Sequence, residues 1–158
     1  MTPQARAIWD ALEFRMPSAL AKVGGLSDAD LYWQPPNGAN SIAWLLWHIA
    51  EVEDNWVRAA VLNLPRRYPF GASVKAASTA AERHSKDALL AYLHEVRALS
   101  ADRLEETTDD EFDRVVADEH YGRLTVRQVW TGVATSGAWH GGQIVLLVNR
   151  LLPRVGRV

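Results

Sequence analysis

The chain contains no cysteine. Disulfides, thiolate nucleophiles and cysteine-ligated zinc are therefore excluded. No apolar run reaches the roughly 18 residues that a membrane-spanning helix needs. Positive charge is not concentrated anywhere. The net charge is −2, from 17 basic and 19 acidic residues, and the basic ones form no continuous run. Phosphate backbones are held by a dense positive face, so nucleic acid is not an expected partner. A Rossmann glycine fingerprint, a P-loop and a nucleophile elbow around serine are also missing. The N-terminal stretch MTPQARAIWDALEFRM is charged throughout and lacks a signal-peptide apolar core, which points to the cytoplasm.

What is present is an ordinary globular composition, 48% apolar and 23% charged over 158 residues. That length predicts one domain, residues 1–158, with a sizeable core. Tryptophan is abundant at seven residues, and Trp44, Trp47 and Trp56 fall in one helical stretch. The helical repeat Ile8, Leu12, Met16, Ala19, Val23 predicts a first helix from Thr2 or Pro3, kinked or split by Pro17 and ended by Gly24 and Gly25. The following LSDADLYWQPPNGAN reads as a non-helical connector.

A second helix starts at Asn40 or Ser41 and runs to about Asn63. Its predicted core face is Ile42, Leu45, Leu46, Ile49, Val52 and Trp56. His48 falls at the edge of that face, with Glu51 one turn on. Either His48 is a boundary residue and Glu51 surface charge, or His48 looks into a cavity with Glu51 orienting it or joining it as a ligand. The stretch after Leu64, PRRYPFGASVKAAS, reads as a long loop. Its Arg66, Arg67 and Tyr68 either hold an anion near a site mouth or are exposed loop residues. A third helix is expected from Ser78 or Thr79, where Thr79 and Glu82 match a capping box. His84 and His94 read as surface histidines. The acidic segment from Ser100 to Leu124 predicts a short helix over 101–106, then a solvated acidic loop and extended chain anchored by Phe112, Val115 and Val116, with a turn at Tyr121-Gly122-Arg123. Its carboxylates lack the spacing of a calcium loop.

Thr125, with Gln128 three residues on, caps a final helix that runs to about Leu152. Val133, Gly137, His140, Ile144, Leu147 and Leu151 share one face of it. His140 lies on this buried stripe with no Asp or Glu three or four residues away. It is either a core histidine bonded to a carbonyl or a metal ligand facing another helix. Gly132, Gly137, Gly141 and Gly142 each cost about 0.5–1 kcal/mol relative to alanine, so they call for a close helix neighbour or room for a ligand. Four main helices with two long connections make an all-α four-helix bundle.

The segments LYWQPPNGAN–SIAWLLWHIAEVEDNW and TVRQVW–AWHGGQIVLLVNRLLP resemble the DinB-like (DinB/YfiT-like) family of metal-binding four-helix bundles. The related mycothiol-dependent maleylpyruvate isomerase metal-binding domain shares that bundle. The resemblance extends from the first helix to Pro153. It implies a divalent metal, zinc or nickel, held by His48 and His140. The family's third ligand position, four residues before His140, is Ser136 here, a departure from the usual His or Glu. Glu51 is the implied substitute donor, with Asn55 on nearly the same face and water as the other way to fill the gap. The resemblance further implies a small-molecule substrate or ligand, a small-molecule thiol as possible cofactor, and a homodimer. Two functions follow. One is a metal-dependent, thiol-linked transferase or isomerase, with its substrate entering near Tyr68 and the end of the acidic segment. The other is a non-catalytic dimeric bundle or small-molecule-binding module with a degenerate metal site.

Overall fold

A computed structural model describes residues 1–36, 39–73, 83–118 and 121–152. The first helix of the bundle is split. Helix α1 spans Pro3–Glu13 and α2 spans Met16–Gly24. Thr2 caps α1 by accepting the Ala5 N–H at 3.2 Å. The break falls at Phe14 and Arg15, so that Pro17 enters the first turn of α2, where its missing N–H leaves no hydrogen bond unmade. The connector expected to be non-helical contains one short helix, α3, Asp28–Tyr32. Ser27 and Asp30 cap it reciprocally, a local signal that outweighs the flanking prolines.

Ser41 caps α4, Ile42–Trp56, through the Trp44 N–H, and a π-helical turn, Val57–Val61, extends it. Helix α5 spans Lys86–Glu106 and is capped by Ser85. Thr79 and Glu82 lie outside the described residues. The start expected near residue 79 is replaced by one at Lys86, because residues 83–85 are not helical. The separate helix expected over 101–106 is the unbroken end of α5.

The acidic segment folds more than its sequence suggests. Asp110–Asp113 forms a 3-10 turn, and β1, Val115–Asp118, pairs antiparallel with β2, Gly122–Thr125. Phe112 and Val116 are buried, as expected of anchors. Val115, the third expected anchor, is exposed, because alternate strand residues face opposite ways. The Thr125–Gln128 capping box forms and opens α6, Val126–Leu146, which ends in a π-helical turn, Leu147–Leu151.

Helix α4 is central. It packs on α5 and α6; α1 and α2 pack on α6, and α3 covers α4. Two apolar clusters fill the bundle. One joins Met16, Val23, Leu31, Leu45, Ile49, Leu93 and Ile144 at one end. The other joins Leu12, Val57, Leu104, Phe112, Val129 and Trp130 at the other end. The helical glycines divide by cause. A Cβ on Gly132 would meet the Trp56 ring, with Cη2 at 2.9 Å, so close approach explains that glycine. A Cβ on Gly137 would lie in ordinary contact with Met16 Cε at 3.7 Å, whereas one on Gly141 or Gly142 would meet nothing within 4 Å.

Two substitutions in α6 should therefore move stability in opposite directions. Gly132→Ala drives a methyl into the Trp56 ring and should destabilise by about 1–3 kcal/mol, the usual range for overpacking. Gly141→Ala gains helix propensity at no steric cost and should stabilise by about 0.5–1 kcal/mol. Urea unfolding of each variant against wild type measures both. Equal signs would contradict this packing.

Candidate functional site

No residue in the middle of α4 is fully exposed, and only the stripe of Trp44, His48, Val52 and Trp56 is half-buried. Glu51, Glu53, Asp54 and Asn55 are all buried there, and each finds a partner inside the protein. Glu53 accepts from Ser100 Oγ at 2.7 Å and lies 3.0 Å from Arg97 Nη2, an ion pair outside hydrogen-bond alignment. Arg97 reaches on to Glu13 at 3.1 Å. Burial pushes the Glu53 carboxyl upward in pKa, and Arg97 opposes that shift. Asp54 Oδ2 accepts from the Tyr92 hydroxyl at 2.9 Å and from Arg67 Nε. Burial, with Asp54 beside it, raises the Tyr92 pKa. Asn55 Oδ1 accepts the backbone N–H of Arg67 at 2.9 Å. These bonds strap residues 66–73 onto α4, running back along the helix.

The strap ends at Ser73, which is fully buried against the N-terminal half of α4. Its carbonyl accepts from Trp44 Nε1 at 3.2 Å. Its N–H and hydroxyl both reach Glu51, at 2.7 Å and 3.0 Å. Its Oγ also lies 2.8 Å from His48 Nδ1. The His48 ring stacks on Trp44, with centroids 4.5 Å apart and planes 15° apart. The His140 ring stands edge-on to it at 4.9 Å, and His140 Nδ1 is 3.1 Å from Gln143 Oε1. The structure thus brings His48 and His140 together from α4 and α6. The core-histidine reading of His140 gives way to a ring facing a second imidazole.

The other candidates fall differently. Glu51 is 5% exposed, so the surface-charge reading fails. It supports His48 through Ser73 instead of facing the histidine pair. Burial raises its pKa, and the two bonds from Ser73 pull it back. The Trp47 indole also favours the carboxylate electrostatically, although its N–H meets no hydrogen-bond geometry among the described residues. Asn55 is committed to Arg67 and does not join His48. Ser136 lies half-buried one turn before His140 on α6. Neither arginine of the strap is left for an anion, since Arg66 pairs with Asp118 and Arg67 with Asp54 and Glu95. Tyr68 is exposed. His94 is exposed as expected, but His84 is half-buried, with its ring stacked on Phe70 at 4.2 Å. Ser73 was not foreseen at all. It stands in a glycine-containing loop, and nothing in the spacing of that loop marks it.

Chemically, the pair brings two imidazole rings together. Burial and the neighbouring His140 depress the pKa of His48 to about 4, so its imidazole is neutral at pH 7. Each Nδ1 is engaged by an oxygen, and among the described residues neither Nε2 has a hydrogen-bond partner. Engaged Nδ1 atoms with unpaired Nε2 atoms match the way histidines are oriented for a metal. Among the described residues no three His, Cys, Asp or Glu groups cluster as a metal site. The residues fit a divalent ion held by two protein nitrogens, with no third ligating group among the described residues.

Two grooves lie elsewhere on α6. One of about 500 Å³ is bounded by Ala7, Ile8 and Ala11 of α1 and by Trp130, Ala134 and Ala138 of α6. Another of about 370 Å³ is lined by Arg15, Ser18, Ala138, Gly141, Gly142 and Val145. Room beside Gly141 and Gly142 thus opens toward α2, and His140 does not line it. No helix of the described residues is long and apolar enough to cross a membrane.

Comparison with known proteins agrees with this architecture. A family model described as the DinB superfamily matches residues 12–144. The crystal structure of a conserved protein from Enterococcus faecalis superposes with a TM-score of 0.67 at 19% identity, over 90% of this chain and 94% of that one. At that identity the likeness concerns the fold. No protein of curated function matches the chain.

The His48 environment carries a pH signature. The folded pKa of about 4 lies below the ordinary 6.5. Between these values the unfolded chain binds a proton that the folded one refuses. Stability should therefore fall as pH drops from about 6.5 toward 4, and this contribution should flatten below that. NMR titration of the metal-free protein should place the His48 midpoint near 4, and His140→Ala should raise it by removing the nearby charge. A midpoint near 6.5 would contradict the buried pair.

Proposed function

The chain belongs to the DinB superfamily, and from that premise we propose that it binds a divalent metal, zinc or nickel, between His48 and His140 and acts with it on a small molecule. The observation that carries this reading is the pairing of two imidazoles from different helices, 4.9 Å apart, each held through Nδ1. Such a metal supplies Lewis acidity to whatever completes its coordination. Among the described residues no anionic donor joins the pair: Ser136 is neutral, and Glu51 is bonded to Ser73. An anionic small molecule, such as a thiolate or carboxylate, best balances the charge. With no cysteine in the chain, a thiol must come from a small-molecule cofactor, which accords with a thiol-linked transferase or isomerase. Trp44, stacked on His48, gives the site an aromatic wall and limits water there.

A second reading has one observation in its favour: among the described residues no third ligating group joins the pair. On that reading the bundle is a non-catalytic binding module. Homodimerisation accords with both. On α6, Trp139 and Leu146 are 68% and 52% exposed and share a stripe with Ala138 and Gly142. Trp139→Glu should then reduce a dimer to monomer in light scattering.

Elemental mass spectrometry of tag-free protein, incubated with zinc or nickel and desalted, decides between the readings. The expected result is up to one metal per chain, lost in His48→Ala and in His140→Ala. Ser136→His supplies a third nitrogen and should tighten zinc binding by at least about tenfold. A wild type without metal, together with no gain in Ser136→His, would remove the metal-dependent reading and leave the binding module.

A further inference from the structure

The contacts of Ser73 with His48 and Glu51 have a direction. Both carboxyl oxygens of Glu51 act as acceptors. Glu51 accepts two from Ser73, one from the N–H at 2.7 Å and one from the hydroxyl at 3.0 Å. A serine hydroxyl has a single proton. Once that proton points at Glu51, Oγ can meet His48 only as an acceptor. His48 Nδ1, at 2.8 Å, must then be the protonated nitrogen. Ser73 is fully buried and Glu51 is 5% exposed, so bulk water does not compete for the bonds between them, while His48 is half-buried.

We infer that Ser73 and Glu51 are positioning residues that lock His48 as its Nδ1–H tautomer through the chain His48 Nδ1–H to Ser73 Oγ–H to Glu51, leaving Nε2 as the ring's lone-pair donor toward the site. Ser73 is not a nucleophile in this arrangement. Its hydroxyl proton is held by a carboxylate, its Oγ is shielded from solvent, and its backbone N–H is spent on the same carboxylate. The strap therefore does more than cover α4. Arg67, fixed to Asp54 and Asn55, sets where the strap lies, and Ser73 delivers that placement to the histidine. The inference rests on His48 being a donor of the proposed site, and it concerns the ring's protonation instead of the metal itself.

The test is a long-range proton–nitrogen NMR correlation on nitrogen-15-labelled, metal-free protein at pH 7. In wild type, His48 should be the Nδ1–H tautomer. Ser73→Ala should move His48 to Nε2–H or to a mixture, and Glu51→Gln should weaken the preference by replacing an acceptor oxygen with an amide group that can donate to the hydroxyl instead. Ser73→Thr, which keeps the hydroxyl, should retain the wild-type tautomer. His140, held separately by Gln143, should be unchanged in all three and serves as the internal reference. Zinc titration should show Ser73→Ala weakened by roughly 10–100-fold, the range for loss of a group that orients a ligating histidine. An Nε2–H tautomer in wild type would overturn the inference whether or not any variant folds. So would a His48 tautomer unmoved in folded Ser73→Ala. If wild type shows the stated tautomer yet takes no zinc, the relay stands and the metal reading falls. Zinc bound equally by wild type and Ser73→Ala, with no change of tautomer, would have the opposite meaning.

Discussion

A buried carboxylate must be satisfied from within the protein. The middle of α4 carries four buried polar side chains, Glu51, Glu53, Asp54 and Asn55. Leaving one such carboxylate unpaired would cost several kcal/mol, so the partners are obligatory. They come from every side: Ser100 and Arg97 from α5, Glu13 from α1 through Arg97, Arg67 and Ser73 from the strap. The result is a polar layer across the waist of the bundle, between one apolar cluster at each end. A slide of α4 by one turn would press carboxylates into those clusters. The layer thus fixes the axial register of the helices more than it adds net stability.

The same register places the histidines. His48 lies one turn before Glu51 on α4, and His140 lies on the part of α6 between the two apolar clusters. Had α4 settled in another register, the His48 and His140 rings would not meet at 4.9 Å. Packing of the ends and pairing of the middle are therefore not separable from the site. Gly132 belongs to this account too, since it lets α6 close over Trp56.

Local signals made much of this legible. The Thr125–Gln128 box, Ser41 and Pro17 each act within one turn of chain, and each structural outcome follows from their side chains alone. The pairing of His48 with His140 is different in kind. No spacing within either helix reports it, and it was reached through resemblance to a family. Of the two readings open for Glu51, surface charge fails for a physical reason: helical periodicity places it toward the polar side of α4, but the strap covers that side. Ser73 had no signal because its importance comes from where the strap ends. Extended chain and a turn are legible around the β1–β2 hairpin, but the pairing of its strands is not, because four-residue strands in an acidic stretch show too few alternations to read.

The presence of that strap bears on whether the histidine pair is a working site or a remnant. An apolar residue of similar volume at Glu51 would spare the burial of a carboxylate and would generally leave a bundle no less stable. The structure instead commits a buried glutamate and a buried serine, with both bonding groups of the serine, to the orientation of one histidine. Local departures from the most stable choice concentrate where a site demands them. A core histidine needs only one satisfied nitrogen, which a nearby carbonyl could provide. A support that fixes one nitrogen and leaves the other free has a purpose only if the free lone pair is used. Ser136 removes one donor from the set without touching this support, which is why we read the pair as open to an outside ligand rather than abandoned.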